Sequence, residues 1–148
     1  MKDLDKLYDE NNIFAKMLRK EIEPIIVYDD ENNLVIMDIM PQSPGHCLII
    51  PKIKARNIFD VSEDALQKTI TLVQKTAKAC LMAFNAQGIS IMQYNEPAGG
   101  QTIFHLHFHI VPRYSEKDIS AHGKNKQDTN VLIEQATLLK TALLDIMS

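Results

Sequence analysis

The stretch "QTIFHLHFHIVPR", residues 101–113, decides how the rest of the chain is read. It sets His105, His107 and His109 at every second position with large apolar residues between them, in a chain that contains only 5 histidines. Side chains alternate faces along a β-strand. A strand through this stretch therefore places Ile103, His105, His107, His109 and Val111 on one face, and Phe104, Leu106, Phe108 and Ile110 on the other. The second face is core material and the first carries chemistry. Successive imidazoles on one face start about 7 Å apart, so two of them can reach opposite sides of a phosphate-sized group or tilt together toward a metal ion.

The residues next to this strand weigh between those two uses. His-x-His on a strand is a known zinc-ligand arrangement, but the flanks add only Glu96 and Glu116, both in loops, as further ligand types. Directly before the strand stands "GGQT". Gly99 and Gly100 allow close backbone approach, and their amides, with Gln101 and the Thr102 hydroxyl, are donors suited to phosphate oxygens. Phosphate chemistry is therefore favoured over metal chemistry. His122, in the polar "SAHGKNK" segment, reads as an ordinary surface histidine.

The 148 residues suffice for one domain with its own hydrophobic core. Hydrophobic residues make up 45% and charged residues 24%, and the formal net charge is -3, which argues against broad nucleic-acid or membrane binding. Any nucleotide must be held by local geometry. Cys47 and Cys80 lie far apart in apolar segments, with no paired spacing and no secretory leader pattern before them. They read as reduced core thiols of a cytoplasmic protein. The apolar runs are far shorter than a membrane span.

"IFAKMLRKEI" sets Ile13, Met17 and Leu18 at helical spacing and predicts a short helix ending before Pro24. "PIIVYDDENNLVIMDIMP" reads as two strands joined by an acidic, Asn-containing turn at residues 29–33, and "HCLIIP" as a third, fully apolar strand. A long helix starts after Ser62, a plausible N-cap, with Glu63 and Asp64 in its first turn. Val61 and Leu66 suit a hydrophobic staple. Leu66, Ile70, Val73, Ala77, Leu81 and Phe84 form its apolar stripe, and Gly88 marks its end. "ISIMQYN" is a strand, "EPAGG" a tight loop, and residues 130–147 a closing helix with Leu132, Ala136, Leu139, Leu143 and Ile146 on one face. Hairpins outnumber βαβ units, so the fold class is α+β with a mainly antiparallel sheet.

"GGQTIFHLHFHIVPR" resembles the signature of the histidine triad (HIT) nucleotide-binding hydrolases and transferases. "NNIFAKMLRKEI", "VYDDENNLVIMDIMPQSPGHCLIIPK" and "MQYNEPAGGQT" are similar to successive blocks of its Hint-like branch, so the resemblance covers roughly residues 11–113. The tail, residues 114–148, lies outside it as a helical extension that covers the dimer edge or shapes the leaving-group side. The resemblance implies one HIT domain over residues 1–148, a five-stranded antiparallel sheet with helices packed on it, and a homodimer.

Carried over by position, the resemblance makes His107 the nucleophile that attacks the α-phosphorus of a nucleotide. His109 becomes the residue at phosphate and leaving group, His105 a supporting member, and His46 a buttress of the triad. Asp38 matches the ribose-binding acid, and Asn95, Gly100, Gln101 and Thr102 the phosphate side. Imidazole chemistry agrees, because a neutral ring offers a lone pair at one nitrogen when an acceptor such as a backbone carbonyl holds the other.

Bacterial Hint-like members often carry a zinc-binding Cys-x-x-Cys, where this chain has "NIFA" with Asn12 and Ala15, and Lys54 stands where a histidine is frequent. The chain therefore resembles the bacterial subgroup without the cysteines, and neither structural zinc nor any other cofactor is expected. The implied activity is hydrolysis of nucleoside phosphoramidates or related AMP or GMP conjugates through a nucleotidyl-histidine. Hydrolysis of dinucleoside polyphosphates, or nucleotide binding with little turnover, are the alternatives.

Overall fold

The computed structural model describes residues 8–115, 117, 119–121 and 123–148; His122 and Glu116 lie outside the described residues. In chain order the elements are α1 (Ile13–Leu18), β1 (Ile26–Asp29), β2 (Asn33–Met37), β3 (Cys47–Pro51), α2 (Glu63–Phe84), β4 (Gly88–Met92), β5 (Phe108–Arg113) and α3 (Thr129–Met147). The strands form one antiparallel sheet in the order β1-β2-β3-β5-β4, so β1 and β4 are its edges. This is the expected five-stranded α+β architecture.

The period of two in β2 and β3 explains why both strands are buried throughout. Val35, Met37, Cys47 and Ile49, continued by Phe108 and Ile110 of β5, face α2 and α3 in the main core. Leu34, Ile36, Leu48 and Ile50 face the other way and pack with Phe14 of α1 in a smaller cluster. His109 pairs across the sheet with Leu48 and Met92. The sheet face under α1 thus becomes the floor of the site.

The turn between β1 and β2 is closed by Asp30, whose Oδ1 accepts from the amides of Asn32 and Asn33, each at 2.8 Å. Ser62 caps α2 by accepting from the Ala65 amide at 3.2 Å. Asp128 caps α3, accepting from the amide of Asn130 at 2.9 Å. The expected α3 face is found, with Leu132, Ala136, Leu139 and Leu143 buried and Ile146 partly so.

As expected, α1 is short and ends before Pro24: it stops at Leu18, and Lys20 with a φ of 64° turns the chain. Two expectations for α2 need correction. α2 ends at Phe84 with Asn85 as its left-handed cap, while Gly88 opens β4. The buried face of α2 is also rotated from the stripe read in the sequence. It comprises Thr69, Leu72, Val73, Thr76, Ala79 and Cys80, with Leu66, Ala77 and Phe84 half-buried, while Ile70 is 48% and Leu81 41% exposed. Threonine can join a core face because its hydroxyl can bond within the helix; that of Thr69 donates to Ala65 O at 2.9 Å and to Asn33 Oδ1 at 2.8 Å.

The largest departure is β5 itself, which begins at Phe108 rather than near Thr102. In the β3–β5 register Phe108 pairs with Ile49, and two residues further back the partner would be Pro51. Proline has no N–H for the ladder. The chain leaves the sheet there, and the Leu106 amide donates instead to Ala55 O at 2.9 Å. Among the described residues no helix is long and apolar enough to cross a membrane.

Candidate active site

Because His105 and His107 precede the strand, hydrogen bonds rather than the pleat set their orientation. All three triad rings and His46 are buried, with His107 at 8% exposure the most open. The Nδ1–H of His107 donates to the carbonyl oxygen of His105 at 2.6 Å. A carbonyl can only accept, so the proton is on Nδ1 and the lone pair on Nε2. His105 Nε2–H donates to Pro51 O at 2.7 Å, and its Nδ1 accepts from the Tyr8 hydroxyl at 2.6 Å. Burial lowers the His105 pKa and raises that of Tyr8, which keeps the ring neutral and the hydroxyl a donor. A histidine that resists protonation when folded costs stability in acid, since below about pH 6.5 the unfolded chain takes up a proton that the folded one refuses.

A second chain of hydrogen bonds serves His109. The Gln42 amide donates to His46 Nδ1 at 3.0 Å, which leaves the His46 proton on Nε2. That Nε2–H points at His109 Nδ1, 3.0 Å away, so a neutral His109 carries its own proton on Nε2. The His107 and His109 ring centroids are 5.0 Å apart. The two neighbours therefore present opposite chemistry, a lone pair on His107 Nε2 and an N–H on His109 Nε2.

A cavity of about 460 Å³ opens onto these rings, lined by apolar side chains including Phe14, Met17, Ile36 and Ile103, with Asp38 and Lys126 among its polar members. Such a slot suits a flat heteroaromatic base with a few fixed polar contacts. Asp38 follows β2 and is buried. Its Oδ1 accepts from the Met40 amide at 2.8 Å, and its Oδ2 lies 3.5 Å from His46 Nε2.

The glycine segment differs from expectation. Residues Pro97–Gly99 form a 3-10 turn in which the amides of Gly99, Gly100 and Gln101 donate to Glu96 O, Pro97 O and Glu96 O. These amides therefore serve the turn rather than an open phosphate cradle. The Gln101 carboxamide is likewise committed. Its Oε1 accepts from Asn57 Nδ2 and the Glu96 amide, and its Nε2 donates to Arg56 O and Ile103 O. Asn95 accepts from the Ile58 amide at 2.9 Å and exchanges bonds with Gln93. Thr102 is exposed. Gln101 and Asn95 thus act as struts of the loop in this conformation.

Sequence reading missed the residues on the far side of that brace. Arg56 pairs with Glu96 at 2.7 Å and lies over the Phe104 ring, 4.1 Å from its centroid. Asn57 Nδ2 donates to Glu96 Oε2 at 2.6 Å. Glu96 has φ 66° and ψ 161°, a region that glycine alone occupies readily, and these contacts hold it there. Only the separation of residues 56–57 from residues 96–101 along the chain hid this; "KARN" carried no local signal.

A family model described as the HIT domain matches residues 19–116. The chain belongs to the HIT family. A solved Hit-like protein from Bartonella henselae, described as involved in cell-cycle regulation, is 47% identical and superposes with a TM-score of 0.88 over 91% of this chain and 98% of that one. Protein hit of Bacillus subtilis is 35% identical over 109 residues, which cover 74% of this chain and 75% of the relative. The purine nucleoside phosphoramidase of Escherichia coli K12 is 38% identical over 105 residues, covering 69% and 87%.

Two donor sets in this HIT domain bear on zinc. Asn12, at one cysteine position, uses its Oδ1 to cap α1 by accepting from the amide of Ala15, the other such position, at 2.9 Å. Lys54 pairs with Glu10 at 2.9 Å. Asp38, His46 and His109 do bring ligand atoms within 4.8 Å of one another. Yet zinc needs a lone pair from each imidazole at 2.0–2.1 Å, which sets the two nitrogens about 3.3 Å apart in a tetrahedral site. Here they are 3.0 Å apart, and the Gln42 amide occupies the lone pair of His46 Nδ1, leaving a proton on Nε2. The arrangement fits a shared proton and does not fit the metal.

Proposed function

We propose that the chain is one HIT domain that hydrolyses purine nucleoside phosphoramidates and related AMP or GMP conjugates through a nucleotidyl-histidine. The observation that carries this reading is the His107 Nδ1–H bond to the carbonyl of His105, two residues earlier, which puts the attacking lone pair on Nε2 without any separate base. In the first half-reaction the bond from His107 Nε2 to the α-phosphorus forms as the bond to the leaving atom breaks. The leaving atom departs with the bonding electron pair. An amine also takes one proton, passed from solvent by way of His109. In the second half-reaction water adds to phosphorus, its proton returns to solvent, and His107 departs. The His109 N–H steadies charge on the phosphoryl and leaving oxygens or nitrogen, and His46 keeps it aimed there.

Asp38 lines the same cavity as His107 and His109, and in this reading it holds the ribose in both ground and transition states. Asp38→Asn keeps an acceptor for the Met40 amide, and is expected to raise KM about tenfold with kcat within about threefold. A collapse of kcat alone would assign Asp38 to the His46–His109 pair instead. The reading as a whole is tested by turnover. Purified protein should release AMP from a phosphoramidate many times per chain, undiminished by a chelator. A single turnover would favour a binding role, and loss with chelator a metal.

The proposal includes a homodimer. β4 is a sheet edge with Ile91 49% exposed, and beside it Ile70 and Leu81 of α2 line an apolar groove of about 390 Å³. Edge strands with apolar neighbours invite pairing. Light scattering at micromolar concentration should give the mass of two chains, and Ile91→Lys should shift it to one. The reduced thiols of Cys47 and Cys80, buried 3.9 Å apart, fit a cytoplasmic setting.

A further inference from the structure

Beyond β5 the chain folds back as a strap over the loop that precedes β3. The Ser120 amide donates to Gln42 O at 2.8 Å, Gln42 Nε2 donates to Ser120 O at 3.1 Å, and the Gln127 amide donates to Ile39 O at 2.9 Å. Between strap and loop lies a cleft of about 380 Å³ that includes Gln42, Arg113, Tyr114, Lys117 and Lys126 in its lining. It holds 3 cations and, among the described residues, no carboxylate, in a chain whose net charge is -3. Among the described lining residues the charge is thus of the opposite sign to the chain's, and in a concave site positive side chains concentrate anions.

Two residues join this cleft to the catalytic rings. Lys126 lines both the cleft and the cavity that contains His107 and His109. Gln42 walls the cleft, and its amide bonds the ring of His46, whose other nitrogen meets His109. In an in-line displacement the leaving group departs on the side opposite the attacking atom, and Lys126 makes the cleft continuous in its lining with the cavity that holds the reacting pair. Arg113 adds an independent sign: although its Nη1 donates to Ser90 Oγ at 3.1 Å, its Nε–H is buried without an acceptor among the described residues. Buried donors ordinarily have partners.

We propose that this cleft is the leaving-group subsite and that it takes a leaving group carrying negative charge, a carboxylate or a phosphate. The inference rests on the reading of His107 and His109 as the reacting pair and names the substrate class within it. An anionic group beside Lys117, Lys126 and Arg113 gains charge-assisted hydrogen bonds that a neutral amine lacks.

The test uses three AMP conjugates, one with a neutral amine, one with an amino acid whose carboxylate is free, and one with a phosphate chain. The wild type should prefer one or both anionic conjugates, and Lys117→Glu should lower the ratio of anionic to neutral kcat/KM about tenfold, Lys117→Gln less. A fall confined to the carboxylate or to the phosphate conjugate names the source of the charge. An unchanged ratio in both variants overturns the proposal, because general damage would scale all three substrates alike. Wild type that turns over none of them would sink the hydrolase reading. The cleft is then judged by calorimetry with inorganic tripolyphosphate: binding weakened about tenfold by Lys117→Glu upholds an anion site, and binding absent or unaltered removes it.

Discussion

His107→Ala is expected to abolish hydrolysis, by at least about a thousandfold in kcat, while the variant still binds AMP within about tenfold of the wild type. In the proposed reaction the ring contributes the atom that bonds to phosphorus, and among the described residues no other imidazole nearby offers a substitute lone pair. His46 Nδ1 and His105 Nδ1 are occupied by the Gln42 amide and the Tyr8 hydroxyl, and His109 Nδ1 by the His46 N–H. The apolar slot around Phe14, Met17 and Ile36, with Asp38 at its side, remains. Isothermal titration with AMP beside a steady-state assay separates the two quantities. Intact-protein mass spectrometry after rapid acid quench should find a nucleotidyl mass on the wild type, mapped to residues 105–109, and none on the variant. An adduct elsewhere, or near-normal activity in His107→Ala, would overturn the assignment. His109→Ala should instead leave a slower enzyme that still forms the adduct.

Gly45→Ala should destabilise the fold by about 2–5 kcal/mol, a loss large enough to threaten folding near 37 °C. Gly45 has a φ of 91°, which L-residues rarely adopt, and a Cβ built there meets Phe84 Cδ2 at 2.5 Å. Phe84 is the last residue of α2 and packs on the main core, so the ring has little room to move. His46 is the next residue, and strain at Gly45 also misaims the His46 N–H that orients His109. Urea unfolding should show a lowered midpoint with an unchanged slope. Gly99→Ala is the control: a Cβ added at Gly99 would meet nothing within 4 Å, and the change should stay within about 0.5 kcal/mol.

Much of the architecture was legible because it follows from local rules. The short apolar runs of β2 and β3, the Asp30 turn, the Ser62 cap and the α3 stripe each depend on residues within a few positions of one another. The family signature likewise located the triad in one short segment. What was not legible depends on partners distant in sequence. Pro51 stops the β5 ladder 57 residues before Phe108 begins it, a count of positions from 51 to 108, and nothing in "HLHFH" announces that. Ile70 and Leu81 fit a helical stripe equally well, but α2 turns the face of Leu72, Val73, Ala79 and Cys80 into the core that it shares with the sheet and α3. Gln101 looked like a phosphate donor because an amide beside two glycines is suited to one. Asn57, Arg56 and Glu96 claim it from 44, 45 and 5 residues away. The hydroxyl of Tyr8 reaches His105 across 97 residues, a contact for which the N-terminal sequence gave no sign.

The hydrogen bonds around the four buried imidazoles make the rings spectroscopically unequal. His46 and His105 carry their proton on Nε2, as does a neutral His109, while His107 carries its proton on Nδ1. In a nitrogen-15 correlation spectrum of the resting protein, His107 should therefore stand apart as the one δ-tautomer among these four. Its resonances report directly on the atom proposed to react, so that a bound nucleotide, a covalent adduct or a displaced His105 carbonyl would each be read as a change in a single isolated pattern.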